Sequence, residues 1–176
     1  MKKVICIVIF LTAVMTGCAQ REVKNNPVEL PADEIILIQN YVNWADGYQN
    51  SGWFIDGTGN VYSFDFGTGD YSVKQHESDE EFMDRLETVR EQSEPFASTD
   101  IDVLRKIYEE GLEINDSASY DEKSMAFDAG QTAYIFRNPE SKKLITCFEM
   151  GDCERQLRDA HARKIKKYVK LLLPFH

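Results

Sequence analysis

The pattern of apolar and polar residues along the chain predicts two groups of strands. Residues 34–44 and 52–56 are apolar runs of strand length, and residues 61–66 alternate between aromatic and polar positions. A Gly/Asn cluster at residues 57–60 separates the last two runs and predicts a hairpin turn. The runs 132–137 and 144–149 flank a polar Asn-Pro-Glu-Ser segment and predict a second hairpin.

Three other segments have helical periodicity. Ser78 and Glu81 fit a capping box that opens the first helix. The second helix is expected to begin at Thr99-Asp100 and to end before Gly111, which would adopt the left-handed conformation. The third is expected to begin at Gly151-Asp152. The apolar stripes are Phe82, Leu86 and Val89; Ile101, Leu104, Ile107 and Tyr108; and Leu157, Ile165, Tyr168 and Leu172. This order predicts an α+β fold, in which a small, mostly antiparallel sheet of about five strands packs with about three helices.

Composition places the chain among globular proteins of one domain. It has 176 residues, of which 43% are hydrophobic and 28% charged, and its formal net charge is -10. This acidic balance argues against a nucleic-acid partner. The four Cys and three His are too few and too scattered for a zinc framework. Residues 56–60 favour a turn over a calcium loop, because they lack a spaced acidic series. The sequence therefore predicts no metal and no cofactor.

The first eighteen residues have the layout of an export signal. Lys2 and Lys3 precede an apolar stretch of twelve residues, which fits a secretory signal better than a bilayer-spanning helix of about 20 residues. The stretch ends in Met15-Thr16-Gly17-Cys18, which resembles the lipobox of bacterial lipoproteins, with Met at the position that Leu usually holds. The resemblance implies cleavage after Gly17 and lipid attachment to Cys18.

The resemblance also implies a division of the chain into three parts. Residues 1–17 would be the signal peptide, residues 18–33 the lipidated Cys and a flexible tether, and residues 34–176 a single α+β domain. Cleavage removes two lysines and no acid, which changes the formal charge to -12. Two acyl chains, such as palmitate, suffice for stable anchoring. The expected location is the extracytoplasmic face of the cell membrane or outer membrane, with the membrane itself as a partner.

Cys147 and Cys153 remain in the mature domain. An even pair outside the cytoplasm predicts a disulfide, which would join the end of a strand to the first turn of the last helix. Closing this seven-residue loop would contribute about 2.4 kcal/mol in the chain-entropy model. The alternative is two free thiols, with Cys147 directed into the core.

Aromatic residues concentrate in segment 41–71, which holds nine of the twenty in the chain. Amide side chains are interleaved with them, as glycan or peptide recognition requires, because rings offer flat apolar area and amides offer oriented hydrogen bonds. Tyr48 and Trp53 are the candidate ligand face. The alternative is that these aromatics form the core of a small sheet. The aromatics are Tyr41, Trp44, Tyr48, Trp53, Phe54, Tyr62, Phe64, Phe66 and Tyr71, and the amides are Gln39, Asn40, Asn43, Gln49 and Asn50.

Two further features bear on function. His161 lies on the apolar side of the last predicted helix and is either a hydrogen-bonded, partly buried residue or a base. Residues 154–176 carry a local charge of +5, which either complements the acidic body or contacts anionic lipid or wall polymer.

The leading hypothesis is a non-catalytic binding or interaction module of the cell envelope, with a wall glycan or an envelope protein as partner. One alternative is a small envelope hydrolase with a carboxylate/His site. The other is an inhibitory or structural lipoprotein that docks on an envelope protein. The sequence predicts no catalytic residue and leaves the oligomeric state open.

Overall fold

The fold is known from a computed structural model that describes residues 28–43, 48–69, 77–124 and 130–172. In these residues, eight antiparallel strands form one sheet in the order β4-β3-β2-β1-β6-β7-β8-β5. The strands are β1 (Ile35–Asn43), β2 (Tyr48–Asp56), β3 (Asn60–Gly69), β4 (Ala97–Ser98), β5 (Tyr120–Ser124), β6 (Gln131–Arg137), β7 (Leu144–Gly151) and β8 (Cys153–Leu157). The helices are α1 (Asp79–Gln92), α2 (Ile101–Leu112) and α3 (Ala160–Leu172).

The predicted α+β class, the three helices and the antiparallel sheet are confirmed, but the sheet has eight strands and not about five. The additional strands are β4, β5 and β8. Strand β4 has two residues, and β5 has the polar sequence YDEKS. Strand β5 is an edge of the sheet, where charged side chains face solvent and discourage pairing with other chains. Such a strand has no apolar alternation that would reveal it.

The start of the last helix is also corrected. Strand β8 occupies Cys153–Leu157, so Leu157 ends a strand and is not part of the helical stripe. Helix α3 begins at Ala160, because the Asp159 carboxylate accepts hydrogen bonds from the amides of His161 at 2.8 Å and Ala162 at 2.9 Å. A capping aspartate eight residues after Gly151 therefore starts the helix that was expected at Gly151 itself.

Two layers of side chains cover the sheet. We call the side that α2 and α3 cover the helix-pair face, and the side that α1 covers the single-helix face. Strand β1 opens with four consecutive residues that are all 0% exposed, and a bulge lies between Ile35 and Leu37. Because of this irregularity, Ile36 and Leu37 both join the core of the helix-pair face, whereas Ile35 and Ile38 join the other core.

Gly111 has a different role from the predicted one. It lies inside α2 and not after it. A Cβ atom at this position would stand 2.3 Å from the ring of Phe136 on β6. Glycine therefore allows the helix to approach the sheet closely, and no left-handed backbone is involved.

Two local predictions are confirmed in atomic detail. Ser78 caps α1, and the amide of Glu81 donates to Ser78 Oγ at 3.2 Å while the amide of Ser78 donates to Glu81 Oε2 at 2.8 Å. The β2–β3 turn is closed by Asp56, whose Oδ1 accepts from the amides of Thr58 at 2.9 Å and Asn60 at 3.0 Å. The segment 56–60 is therefore a hairpin turn.

Candidate functional site

One part of the helix-pair face lies beside α2 and α3, and these helices do not cover it completely. Trp53 of β2 pairs with Gln39 of β1, Gln39 pairs with Tyr134 of β6, and Tyr134 pairs with Phe148 of β7. The four residues therefore form one line across four adjacent strands. We call these four residues the aromatic row. Phe148 is 3% exposed, whereas Trp53, Gln39 and Tyr134 are half-buried. The row therefore extends from the buried core to a surface that solvent reaches.

The rings of the row hold one another in place. Tyr134 stacks on Phe148 with ring centroids 4.3 Å apart and planes 13° apart. Trp53 meets Tyr134 edge-on, with centroids 6.2 Å apart and planes at 67°. Lys166 Nζ of α3 lies 5.1 Å from the centre of the Phe148 ring. Such stacked and edge-on arrangements favour fixed ring positions, so the exposed surfaces of Trp53 and Tyr134 are preorganised.

The polar groups of the row have no hydrogen-bond partners of their own in the described part of the chain. Among the residues that the structure describes, the side chains of Trp53, Gln39 and Tyr134 form no hydrogen bond. Burial raises the pKa of Tyr134, so its hydroxyl stays protonated at neutral pH and can donate. The row thus offers an indole N–H, an amide and a hydroxyl between two ring surfaces.

A second row lies next to the first on the same face. It consists of Ser51, Tyr41, Thr132 and Met150 on the same four strands. Asn43 Nδ2 donates to the Tyr41 hydroxyl at 3.0 Å, and the Met150 side chain is exposed. The open surface is therefore at least two residues deep along the strands.

The two residues of the predicted ligand face lie on opposite sides of the sheet. Trp53 belongs to the aromatic row, but Tyr48 is five positions earlier on the same strand. Tyr48 shares the single-helix face with Asn50, which lies opposite Val42 of β1. Tyr48 is 4% exposed, burial raises the pKa of its hydroxyl, and Asn50 Nδ2 donates to that hydroxyl at 2.9 Å. The structure therefore places Trp53 in the candidate site and Tyr48 in the core.

The interleaved amides divide in the same way. Gln39, Asn43 and Gln49 share the helix-pair face with Trp53, whereas Asn40 and Asn50 lie on the single-helix face. Asn50 is 2% exposed. Trp44 and Tyr71 lie outside the described residues.

Tyr134 and Phe148 were not among the residues that the sequence pointed to. Both lie in strands that the sequence predicted, and Tyr134 has the same alternation as Thr132. The missing information was the pairing of β1 with β6, which joins residues 89 to 99 positions apart. Only this pairing brings Tyr134 beside the aromatic-rich segment.

His161 lies in a groove at the first turn of α3, away from the aromatic row. Its Nδ1 is 2.6 Å from Glu110 Oε2, and Lys164 Nζ is 2.9 Å from Glu110 Oε1. The groove around them has a volume of about 310 Å³, and its lining includes Val28, Glu109, Leu112 and Glu113. The structure shows the partly buried, hydrogen-bonded histidine of the sequence analysis, and Glu110 lies between His161 and Lys164.

Cys147 and Cys153 are free thiols in this structure. The β7–β8 register pairs Glu149 with Arg155, so Cys153 lies opposite residue 151, about 13 Å along the strand from Cys147. A disulfide joins Cα atoms that are no more than about 7 Å apart. The predicted disulfide is therefore not formed in this arrangement. Burial raises the pKa of the Cys147 thiol to about 12.

Among the described residues, no three His, Cys, Asp or Glu side chains come together as metal ligands would. None of the described helices has the length and apolar character needed to cross a bilayer. No protein-family model matches the chain, and searches of curated proteins and of solved structures also found no match.

Proposed function

We propose that this chain is a lipid-anchored lipoprotein of the bacterial cell envelope whose domain is a non-catalytic binding module, with the aromatic row as its ligand face. The anchoring rests on the lipobox-like segment 15–18 and on Cys18 as the lipid-bearing residue. The domain would then lie on the extracytoplasmic side of the membrane.

The observation that carries the binding proposal is the row itself. Trp53 and Tyr134 present half-buried rings that are fixed by stacking, and Gln39 lies between them with an amide that has no side-chain hydrogen bond among the described residues. On the other face, by contrast, the Phe54 ring is completely buried. In the row, the rings remain accessible next to free polar groups.

The chemistry of the row fits a glycan of the cell wall. Sugar rings have apolar C–H faces that pack on aromatic rings, and their hydroxyl groups hydrogen-bond to amides and phenols. Neutral donors and acceptors suit such a ligand, and the row itself contains no charged side chain. The open neighbouring row would accommodate more than one sugar unit.

The test is binding of soluble wall-glycan fragments by calorimetry. Trp53→Ala and Gln39→Ala should each weaken binding at least about tenfold, since removal of a ring or of an oriented hydrogen bond costs roughly 1.4 kcal/mol or more at a desolvated contact. The matched control is Phe96→Ala, which removes an aromatic ring that is 55% exposed and outside the row. Binding that is absent in the wild type, or equally strong in all variants, would refute the glycan face.

The anchoring is tested separately. Mass spectrometry of the membrane fraction should show acyl chains on Cys18, and Cys18→Ala should abolish this modification and leave the chain uncleaved by the lipoprotein route. A wild-type chain without lipid would contradict the proposal.

A further inference from the structure

Helix α3 presents a basic stripe on the side opposite its buried residues. Its thirteen residues include five Lys or Arg and no acid. Ala162, Ile165, Val169 and Leu172 are buried against the core. Helical periodicity places Arg163, Lys167, Lys170 and Leu171 on the opposite side, where all four are exposed, and we call them the basic stripe. Leu171 is 66% exposed, which makes it the most exposed large apolar side chain in the described structure.

Two of the three cations of the stripe are not neutralised by their surroundings in the described structure. Lys167 and Lys170 form no ion pair with the residues that the structure describes. Of the nearby acids, Asp121 is bound by Arg158 as well as Arg163, and Glu110 is bound by Lys164. A cationic surface with one projecting leucine is therefore left facing solvent.

The position of the tether brings this stripe close to the lipid. Val28, the first described residue, lines the same groove as Lys164 of α3. Cys18 precedes Val28 by ten residues, which span at most about 36 Å when fully extended. An anchor this short keeps α3 near the membrane surface at a high effective concentration.

We propose that the basic stripe of α3 docks on the anionic lipid headgroups of the membrane that holds the chain, an inference that rests on the proposed lipid anchoring. Basic residues on the polar face of a helix are attracted to anionic headgroups, and an exposed apolar side chain inserts between them. The stripe and the aromatic row both lie on the helix-pair side of the sheet. Docking therefore turns the row toward the bilayer and limits it to ligands near the membrane surface.

The test uses the lipid-bearing wild-type chain in vesicles of phosphatidylcholine alone or mixed with phosphatidylglycerol. Flotation of the vesicles reports anchoring, and acetylation of lysine amines read by mass spectrometry reports docking. Lys167 and Lys170 should be acetylated at least about fivefold more slowly on the anionic vesicles, the change expected when one cation is held at such a surface. Lys142 and Lys143 on the β6–β7 turn are exposed and serve as internal controls that should not change. High salt should remove the protection but not the flotation.

Each contrary result has a distinct meaning. If the protein floats but Lys167 and Lys170 react equally on both kinds of vesicle, docking is refuted and anchoring stands. If the protein does not float, both proposals fail. If an anionic wall polymer protects these lysines on neutral vesicles and phosphatidylglycerol does not, the partner is the polymer and the membrane proposal is overturned.

Variants separate local docking from net charge. In the wild type, Lys164 and Lys166 of α3 should also be protected from acetylation on anionic vesicles. Lys167→Gln with Lys170→Gln should abolish this protection of Lys164 and Lys166. Lys142→Gln with Lys143→Gln removes the same charge elsewhere and should preserve it. Glu109→Gln with Glu113→Gln removes two exposed acids beside α3 and should increase it. Unchanged protection in the first variant, with native circular dichroism, would contradict the proposal.

Discussion

The two faces of the sheet use aromatic residues in opposite ways, and adjacent residues of β2 show the contrast. Phe54 is 0% exposed on the single-helix face and stacks on Tyr62 with centroids 5.1 Å apart. Trp53 lies on the helix-pair face, half-buried against Tyr134. Helix α1 closes the first face with Phe82, Met83 and Leu86, whereas α2 and α3 leave the end of the second face open. The same richness in aromatics therefore produces a closed core on one side and, on the other, the partly exposed row that we propose as a binding surface.

The largest expected difference is in stability when these two neighbours are truncated. Phe54→Ala should lower the free energy of unfolding by about 3–5 kcal/mol, because it leaves a cavity in a closed core. Trp53→Ala should cost clearly less, because its side chain is only partly buried. Urea unfolding of both variants measures this. Equal losses would show that the helix-pair face is closed in solution and would remove the basis for a ligand face.

The next property to test is the close approach of α2 to the sheet, because this approach determines how much of the helix-pair face α2 covers. Gly111→Ala should destabilise the fold by about 1–3 kcal/mol, since its Cβ would overlap the buried Phe136 ring. The better helix propensity of Ala offsets part of this cost. The double variant Gly111→Ala/Phe136→Leu should be more stable than the single variant Phe136→Leu. A stabilising Gly111→Ala in the wild-type background would contradict this packing.

The covered part of the helix-pair face also predicts a loss of stability in alkali. The pKa of Cys147 is about 12 in the folded protein, whereas an unfolded thiol has a pKa of about 8.5. Above pH ~8.5 the unfolded chain therefore binds fewer protons than the folded chain, and stability falls as pH rises toward 12. The loss from this thiol should reach about 2 kcal/mol at pH ~10.

Urea unfolding between pH 8 and 10 measures this slope, and Cys147→Ala is the control that should lack most of it. Thiol labelling of the native protein should modify Cys153 and spare Cys147, and denatured, non-reduced protein should show both. No labelled thiol in the denatured protein would mean that the Cys147–Cys153 disulfide forms after all.

Local structure could be predicted from the sequence because its signals are local. The Ser78–Glu81 capping box and the Asp56 turn each depend on residues within four positions of one another. Apolar runs likewise predicted β1 and most of β2, and apolar runs or alternation predicted β3, β6 and β7. The charged edge strand β5 could not be recognised, since a strand whose side chains face solvent needs no apolar pattern. Strand β8 was missed because its one large apolar residue, Leu157, also fits the helical spacing of the residues that follow it.

The candidate site was predicted only in part for a related reason. The sequence pointed to Trp53 as an aromatic next to amides, but the predicted strand began at residue 52 and so did not include Tyr48. Once β2 begins at Tyr48, the odd spacing of five positions assigns the two residues to opposite faces. Tyr134 depended on the long-range β1–β6 pairing, which no local pattern encodes.

The smallest expected effect separates two tyrosine hydroxyls on the two faces. Tyr48→Phe removes the acceptor of the hydrogen bond from Asn50 Nδ2 at 2.9 Å and leaves that donor unsatisfied in a residue that is 2% exposed. The cost should be about 1–2 kcal/mol of unfolding free energy.

Tyr134→Phe removes a hydroxyl that has no hydrogen bond among the described residues and whose pKa is raised by burial alone, so stability should be unchanged or slightly higher. The same Tyr134→Phe change should weaken glycan binding, because the proposed ligand face would lose a hydroxyl that has no hydrogen-bond partner among the described residues. Unfolding curves and calorimetric titrations of the two variants together decide the matter. A destabilised Tyr134→Phe protein with unchanged glycan affinity would place this hydroxyl in the structural core and reduce the ligand face to Trp53 and Gln39.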